Sequence, residues 1–180
     1  MPKKLFALVV LLVLSGCIAK KKTTYSKSRT ITVEASKTKK KKKDKDAKAL
    51  ASNPKADKVV ESAMKFTGVK YRFGGINKKG MDCSGLVYVA LQMNDIVFPR
   101  VSHQMANEGK RIRLADVQKG DLLFFKTRNK GRNINHVGLI VAIEDDEIKF
   151  IHSTTSRGVI VSSLREGYWN AAFVKATRIL

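Results

Sequence analysis

The sequence predicts a single α+β domain over residues 54–180, in which helices come first and an antiparallel sheet follows. Two observations predict it. Apolar residues recur at helical spacing between residues 54 and 94, whereas short apolar segments separated by turn-forming residues fill the stretch from 121 to 177. A chain of 180 residues, of which 43% are hydrophobic, is long enough to bury one such core.

Residues 1–16 have the pattern of a secretory signal peptide. Two lysines precede the apolar run Leu5–Leu14, which is shorter than the roughly 20 residues that a membrane-spanning helix needs. The run ends in Leu14-Ser15-Gly16-Cys17, which resembles the lipobox of bacterial lipoproteins. That resemblance implies cleavage before Cys17 and attachment of fatty-acyl chains such as palmitate through its sulfur. The alternative is an ordinary signal peptide with a chance cysteine near its end.

Residues 17–53 are predicted to be the lipidated cysteine and a disordered basic tether. They hold thirteen Lys or Arg against three acidic residues, in a chain whose formal net charge is +21, and they have no sustained apolar period. A flexible coil over residues 18–53 spans roughly 30–35 Å, which suits a domain working at a distance from a membrane. We expect weak attraction to anionic lipid or wall polymer and no nucleic-acid partner, because an export signal precedes the basic run.

The first element of the predicted domain is a helix that begins near Asn53-Pro54, since proline suits a first helical turn. Thr67-Gly68 ends this helix. A short extended piece with a glycine turn, Val69–Gly75, follows it.

A second helix is predicted to start at Asp82 or Cys83 and to run to about Asn94. Its apolar residues lie nearly all round, so we expect it to be buried, with Asp82 as its N-cap. Cys83 would then lie where unpaired N–H groups and the helix dipole favour the thiolate, a suitable place for a nucleophile. If Cys17 carries lipid, Cys83 is the remaining free thiol. The alternative is a buried cysteine acting as a small hydrophobe.

The second half of the domain is predicted to form about five strands. Charged or glycine-bearing connectors of hairpin length favour antiparallel pairing. The strands are Asp121–Lys126, Val137–Ile143, Ile148–His152, Gly158–Ser162 and Ala172–Thr177.

Two histidines lie at strand ends, where a base can meet both solvent and substrate. His136 precedes the second strand and can take the thiol proton, unless it is only a strand-end histidine bonded to backbone. His152 ends the neighbouring strand and can fix the tautomer of His136. A regular hairpin with a two-residue turn at Asp145-Asp146 would point the two histidines to opposite faces. We therefore predict a loop of odd length or a bulge.

Six motifs, in order along residues 55–180, resemble those of the NlpC/Spr-type peptidoglycan endopeptidases. They are Tyr71-Arg72-Phe73-Gly74-Gly75, Asp82-Cys83-Ser84-Gly85-Leu86-Val87, Pro99-Arg100-Val101-Ser102-His103-Gln104, Gly120-Asp121-Leu122-Leu123-Phe124-Phe125, His136-Val137-Gly138 and Ile151-His152-Ser153.

The resemblance implies a papain-like fold and a cysteine peptidase with a Cys-His-His site and no cofactor. It implies hydrolysis of peptidoglycan stem peptides, either at the D-alanyl–diaminopimelate cross-link, which the short lipoprotein members favour, or at the γ-D-glutamyl–diaminopimelate bond. His103 matches a variable position and is expected to be a surface residue. The implied catalytic residues are Cys83, His136, His152 and Tyr71, and the implied substrate-groove residues are Asp82, Ser84, Arg100 and Ser102.

Two other function classes remain open from the sequence. One is a catalytically inactive, peptidoglycan-binding lipoprotein, although the three implied catalytic residues are all present. The other is a zinc protein, although the spacing of Cys83, His136 and His152 is unlike that of a ligand cluster, and no metal is expected. We expect a monomer in the cell envelope, anchored to the outer membrane where the cell has one, because Ile18 stands where an inner-membrane-retaining aspartate is common.

Overall fold

The computed structural model describes residues 53–127 and 133–180. The predicted signal peptide, Cys17 and the basic tether lie outside the described residues. Most of the polar loop before His136 does so as well. Among the helices that are described, none has the length and apolar character needed to cross a membrane.

Helix α1 spans Pro54–Met64, and its start is fixed by a side-chain cap. The Asn53 amide oxygen accepts hydrogen bonds from the backbone N–H groups of Lys55 and Ala56, at 3.1 and 3.3 Å. Hydrogen-bonded turns continue the chain beyond the helix to residue 67, so the predicted helix is confirmed except for its last turn.

Helix α2 spans Cys83–Gln92 and lies at the centre of the fold, as predicted. The Asp82 carboxylate caps it by accepting from the Gly85 N–H at 2.6 Å. Gly85 is required for close packing, because a Cβ at this position would lie 2.1 Å from the Gly75 carbonyl oxygen. The preceding loop therefore rests directly on the first turn of α2, and that contact places the amino end of the helix.

The described residues form one six-stranded antiparallel sheet, together with a small two-stranded hairpin. The five predicted strands are confirmed to within one or two residues. The sixth, the edge strand Lys110–Ile112, was missed, and it pairs with the last strand, Phe173–Arg178. The hairpin is β1 (Ile76–Asn77) and β2 (Gly80–Met81), and the sheet, in spatial order, is β3 (Lys110–Ile112), β8 (Phe173–Arg178), β4 (Leu122–Phe125), β5 (His136–Glu144), β6 (Glu147–Thr154) and β7 (Gly158–Ser163).

Three short helical segments were not predicted. They are α3 (Ser102–Met105), a 3₁₀ turn (Leu114–Asp116) and α4 (Gly167–Ala172).

The two faces of the sheet bury separate hydrophobic clusters, because alternate residues of each strand point to opposite sides. One cluster joins the apolar faces of α1 and α2 to strand residues such as Leu139 and Ile151. The other joins Phe125 and Phe150 to Trp169 on α4. Helices α1 and α2 and the short helix α4, which lies between β7 and β8, thus cover opposite faces, which gives an α+β arrangement.

The β5–β6 hairpin contains the bulge predicted from the sequence. Its turn has two residues, Asp145 and Asp146, with φ angles of 48° and 60°, and Glu144 pairs with Glu147. The register then shifts at Val141, which has no partner on β6, so that Ile140 pairs with Phe150. That one-residue shift brings the side chains of His136 and His152 to the same face of the sheet.

Candidate active site

Cys83 lies at the amino end of α2, where its side chain is 8% exposed. Burial raises the pKa of the thiol above its ordinary value of 9.0, and the negative charge of Asp82 adds to this rise. Backbone hydrogen-bonding groups of Val137, Ser84 and Cys83 itself act in the opposite direction. The backbone groups at the helix end thus favour the thiolate, as expected from the sequence, but they do not set the net shift of the pKa. Desolvation outweighs the backbone donors, and the sulfur is held as a neutral thiol.

His136 and His152 form a directly bonded, buried pair. The distance from His136 Nε2 to His152 Nδ1 is 2.9 Å. Burial lowers the pKa of His136 to about 4, and burial together with the charges of His136 and Arg157 lowers that of His152 to about 2. Both imidazoles are consequently neutral near pH 7.

The tautomers of this pair follow from the bond between them. Because His136 Nε2 is committed to His152, the nitrogen left to take up a proton is Nδ1. If Nδ1 is to accept, the neutral ring carries its hydrogen on Nε2 and donates it to His152 Nδ1. His152 then carries its own hydrogen on Nε2.

A polar network holds the loop and the helix end on either side of Cys83. The Asp82 carboxylate accepts from the Gly74 N–H at 2.8 Å as well as from Gly85. Arg100 binds the same carboxylate through both terminal nitrogens, at 3.0 and 3.1 Å. Those nitrogens also reach the Ser84 hydroxyl at 2.9 Å and the Gly75 carbonyl at 3.3 Å. The predicted groove residues Asp82, Ser84 and Arg100 are therefore bonded to one another.

A groove of about 980 Å³ runs past Cys83 and His136. His152 lies behind His136, fully buried. His103, expected to be a surface residue, is exposed at the rim of this groove. The structure thus brings together every site residue named from the sequence apart from Cys17, which lies outside the described residues. The predicted residues lining the groove are Tyr71, Asp82, Cys83, Ser84, Arg100, Ser102 and His136.

This order of elements and motifs matches a known family over most of the domain. The model of the NlpC/P60 family matches residues 68–178. The chain belongs to the NlpC/P60 family. The family and the α+β fold class predicted from the sequence are confirmed.

Relatives of this NlpC/P60 chain are named as peptidases. A probable endopeptidase of Haemophilus influenzae is 40% identical over 120 residues, covering 66% of this chain and 71% of that protein. An Escherichia coli K12 protein named murein DD-endopeptidase MepS/murein LD-carboxypeptidase is 34% identical over 124 residues, covering 68% and 62%. The predicted enzyme class, a peptidase, is thus the class of both relatives.

A solved NlpC/P60 structure has the same fold. The crystal structure of a family protein from Bacillus cereus superposes with a TM-score of 0.61 at 28% identity. The match covers 68% of this chain and 39% of that one, so this chain spans well under half of the Bacillus protein.

Sequence reasoning missed the aromatic side of the NlpC/P60 site. Trp169, on the unpredicted helix α4, stacks on His136 and lies perpendicular to His152, with ring centroids 5.2 and 4.4 Å apart. Phe73 and Tyr168 line the groove and are largely exposed. The one available signal was composition, because Trp169 is the sole tryptophan of the chain.

The zinc alternative gains no support from the site. In the described part of the chain, no group of three or more His, Cys, Asp or Glu side chains is placed to hold a metal ion. One nitrogen of His136 bonds to His152, an arrangement typical of a base and its orienting partner.

Proposed function

We propose that this chain is a cell-wall cysteine peptidase that hydrolyses an amide bond of the peptidoglycan stem peptide. Cys83 is the nucleophile, His136 the base and His152 its orienting partner. The observation that carries the proposal is the 2.9 Å bond between His136 Nε2 and His152 Nδ1 beside the groove that Cys83 lines. A nucleophile, a base and a third group that orients the base are the parts that covalent amide hydrolysis requires.

The resting site is neutral, so the proton moves as the sulfur attacks. His136 Nδ1 takes the Cys83 proton while Sγ bonds to the substrate carbonyl carbon. The oxyanion accepts from the backbone N–H of Cys83 at the amino end of α2, with the Tyr71 hydroxyl beside the groove as a further donor. His136 then gives the proton to the leaving amine as the C–N bond breaks. Water, deprotonated by His136, hydrolyses the thioester and releases Cys83.

The bond we propose is the D-alanyl–diaminopimelate cross-link. The name of the Escherichia coli relative, which includes murein DD-endopeptidase, supports this choice. The groove is open enough for a branched peptide, and it offers Arg157, whose guanidinium has no bonding partner among the described residues, to a substrate carboxylate. Cleavage of the γ-D-glutamyl–diaminopimelate bond is the other outcome of the test.

Digestion of defined muropeptides, read by mass spectrometry, tests both the activity and the bond. Cross-linked dimers should yield monomers with the wild type, with no release by Cys83→Ala or Cys83→Ser. His136→Ala should lose at least about a thousandfold in kcat, since it removes the base. His152→Ala should lose less, because it leaves the base in place. Equal release by the wild type and Cys83→Ala would end the peptidase proposal in favour of an inactive wall-binding protein.

We further propose that the mature protein is a monomeric lipoprotein, anchored through Cys17 in the outer membrane of a diderm cell and facing the wall. The lipobox-like Leu14-Ser15-Gly16-Cys17 after an apolar run supports this proposal. Globomycin-sensitive processing, palmitate labelling and membrane fractionation should all be lost in Cys17→Ala. Labelling that persists in this variant would contradict the anchor.

A further inference from the structure

The buried histidine pair is enclosed by aromatic rings rather than by carboxylates. Trp169 is 6% exposed and belongs to the cluster that also holds Phe125 and Phe150. Its indole is nearly parallel to His136, with an interplanar angle of 24°, and nearly perpendicular to His152, at 81°. One side chain thus faces both members of the pair in two different geometries.

We infer that Trp169 is a positioning residue of the catalytic pair, whose stacked indole stabilises the imidazolium form of His136 during proton transfer. The inference rests on the proposed role of His136 as the base and deepens it. Trp169 itself takes no part in the bond changes.

The stacked contact offsets part of the electrostatic cost of forming a cation at the buried His136. His136 must become cationic for the reaction to proceed, yet burial opposes the cation and lowers the pKa of this ring to about 4. Within the described residues, neither imidazole bonds to an Asp or Glu side chain. The negative face of a tryptophan ring within about 6 Å of a cation is attractive, and more so where water is excluded. At 5.2 Å, Trp169 meets that condition.

A second observation concerns the far nitrogen of His152. His152 Nε2 is buried and has no hydrogen-bond partner among the described residues. In the tautomer that leaves His136 Nδ1 free to accept, this nitrogen carries a hydrogen. A perpendicular ring at 4.4 Å can receive an N–H at its π face, a weak but real hydrogen bond. Trp169 would then favour the tautomer that catalysis needs.

The charged and titratable groups around the pair come from several segments. Cys83 and Asp82 lie at the amino end of α2, and Arg157 in the β6–β7 turn. The same groove is also lined by Tyr71, Arg100, His103 on α3, Glu166 and Tyr168. These groups remain in place in the Trp169 variants, so their influence is common to all the proteins compared.

Two variants with side chains of similar size distinguish an effect of the aromatic π face of Trp169 from an effect of its volume. Trp169→Phe keeps an aromatic face and Trp169→Leu does not, while both remove part of the side chain. We expect kcat to be about 3- to 30-fold lower in Trp169→Leu than in Trp169→Phe, with little difference in KM. The acid limb of the kcat profile should lie at lower pH in the Leu variant, because the imidazolium has lost a stabilising partner. The inference would be overturned if the two variants had equal kcat values and acid limbs at the same pH. It would also be overturned if the acid limb lay at higher pH in Trp169→Leu than in Trp169→Phe.

Fluorescence gives a measurement that needs neither turnover nor a Trp169 substitution. Because Trp169 is the sole tryptophan, emission excited at 295 nm reports on this site alone. We expect quenching with a midpoint near pH 4 in the wild type and in Cys83→Ala, and its loss in His136→Gln, with circular dichroism confirming that each protein stays folded. Quenching that is the same in His136→Gln would refute the stacked contact. Failure of the peptidase assay alone would refute the proposed function and leave this result standing.

Discussion

Arg100 is bonded to the protein through both terminal nitrogens of its guanidinium, although sequence reasoning assigned it to the substrate groove. Its partners are Asp82, Ser84 and the Gly75 carbonyl. Asp82 in turn caps the helix that begins with Cys83. At the scale of single residues, we therefore expect Arg100 to affect catalysis through the position of the nucleophile.

Replacing Arg100 with methionine should lower both stability and turnover. The substitution leaves the nearly buried Asp82 carboxylate without its cation, which costs about 1–3 kcal/mol in the free energy of unfolding. The helix end that carries Cys83 then loosens, so kcat should fall roughly tenfold or more, with KM little changed. Urea unfolding and steady-state kinetics on a muropeptide measure the two effects.

Arg157→Gln is the matched comparison, because Arg157 also lines the groove but its guanidinium is bonded to none of the described residues. It should raise KM and leave the free energy of unfolding within about 0.5 kcal/mol of the wild type. If Arg100→Met instead raised KM and left stability unchanged, Arg100 would be a substrate-binding residue, as the family resemblance implied.

At the scale of secondary structure, the sequence predicted those elements whose signals are local. Helix α2 has a capping aspartate and a run of apolar residues, and the strands on either side of Asp145-Asp146 are apolar segments bounded by turn-forming residues. The edge strand β3 has no such signal. Two of its three residues are exposed, and it exists because β8, from the far end of the chain, pairs with it. Helix α4 begins at Gly167 and has no side-chain cap.

The same reason limits how much of the site was predictable. Residue type and position at the end of a helix or strand were enough to predict three site residues: Cys83, His136 and His152. The stacking of Trp169 on His136 depends on packing between α4 and the sheet, which no local pattern encodes. Arg100 was found but its partners were not, because the bond to Asp82 joins segments that are separate in the sequence.

Deleting Val141 tests the role of the bulge in placing the histidines. Val141 is the extra residue, so its loss leaves Ile140 paired with Phe150 and Ala142 with Lys149. His136 then stays on the face of His152, and we expect a folded protein that keeps a tenth or more of the wild-type kcat. Activity on muropeptides and the midpoint of thermal unfolding are the measurements.

Deletion of Val141 and Ala142 together is the control. With the register set from the turn, the loss of two residues moves His136 by one position and turns its side chain to the opposite face from His152. Activity should fall to the level of His136→Ala even in preparations that retain strand content by circular dichroism. If both deletions lost activity equally while folded, the register of the hairpin would not be what brings the histidines together.

At the scale of the whole molecule, the site draws residues from both hydrophobic clusters. Cys83 belongs to the cluster beneath α1 and α2, whereas Trp169 belongs to the cluster on the opposite face. His136, at the start of β5, lines the groove with Cys83 and stacks on Trp169. The nucleophile and the aromatic support of its base are therefore contributed by different halves of the fold, and the pair is as buried as the cores that surround it.

This burial predicts that the free energy of unfolding falls as the pH is lowered. In the unfolded chain His136 takes up a proton below its ordinary pKa of 6.5, whereas in the folded protein it does so only near pH 4. The contribution of His136 to the free energy of unfolding is therefore fully present above pH 6.5. It is lost as the pH falls toward 4, and the total loss is about 3 kcal/mol. His152, whose pKa is lowered further, adds to the same slope. Urea unfolding at pH 7.5, 5.5 and 4 measures the loss.

The double variant His136→Gln/His152→Gln isolates the contribution of the histidines from that of the carboxylates. Glutamine fills similar space and does not titrate, so the double variant should be flatter than the wild type between pH 6.5 and 4, whatever its absolute stability. The carboxylates contribute equally to both proteins and cancel in the difference between the two slopes. Parallel curves for the two proteins would mean that the histidines take up protons as readily in the folded protein as in the unfolded chain, and hence that burial does not lower their pKa values.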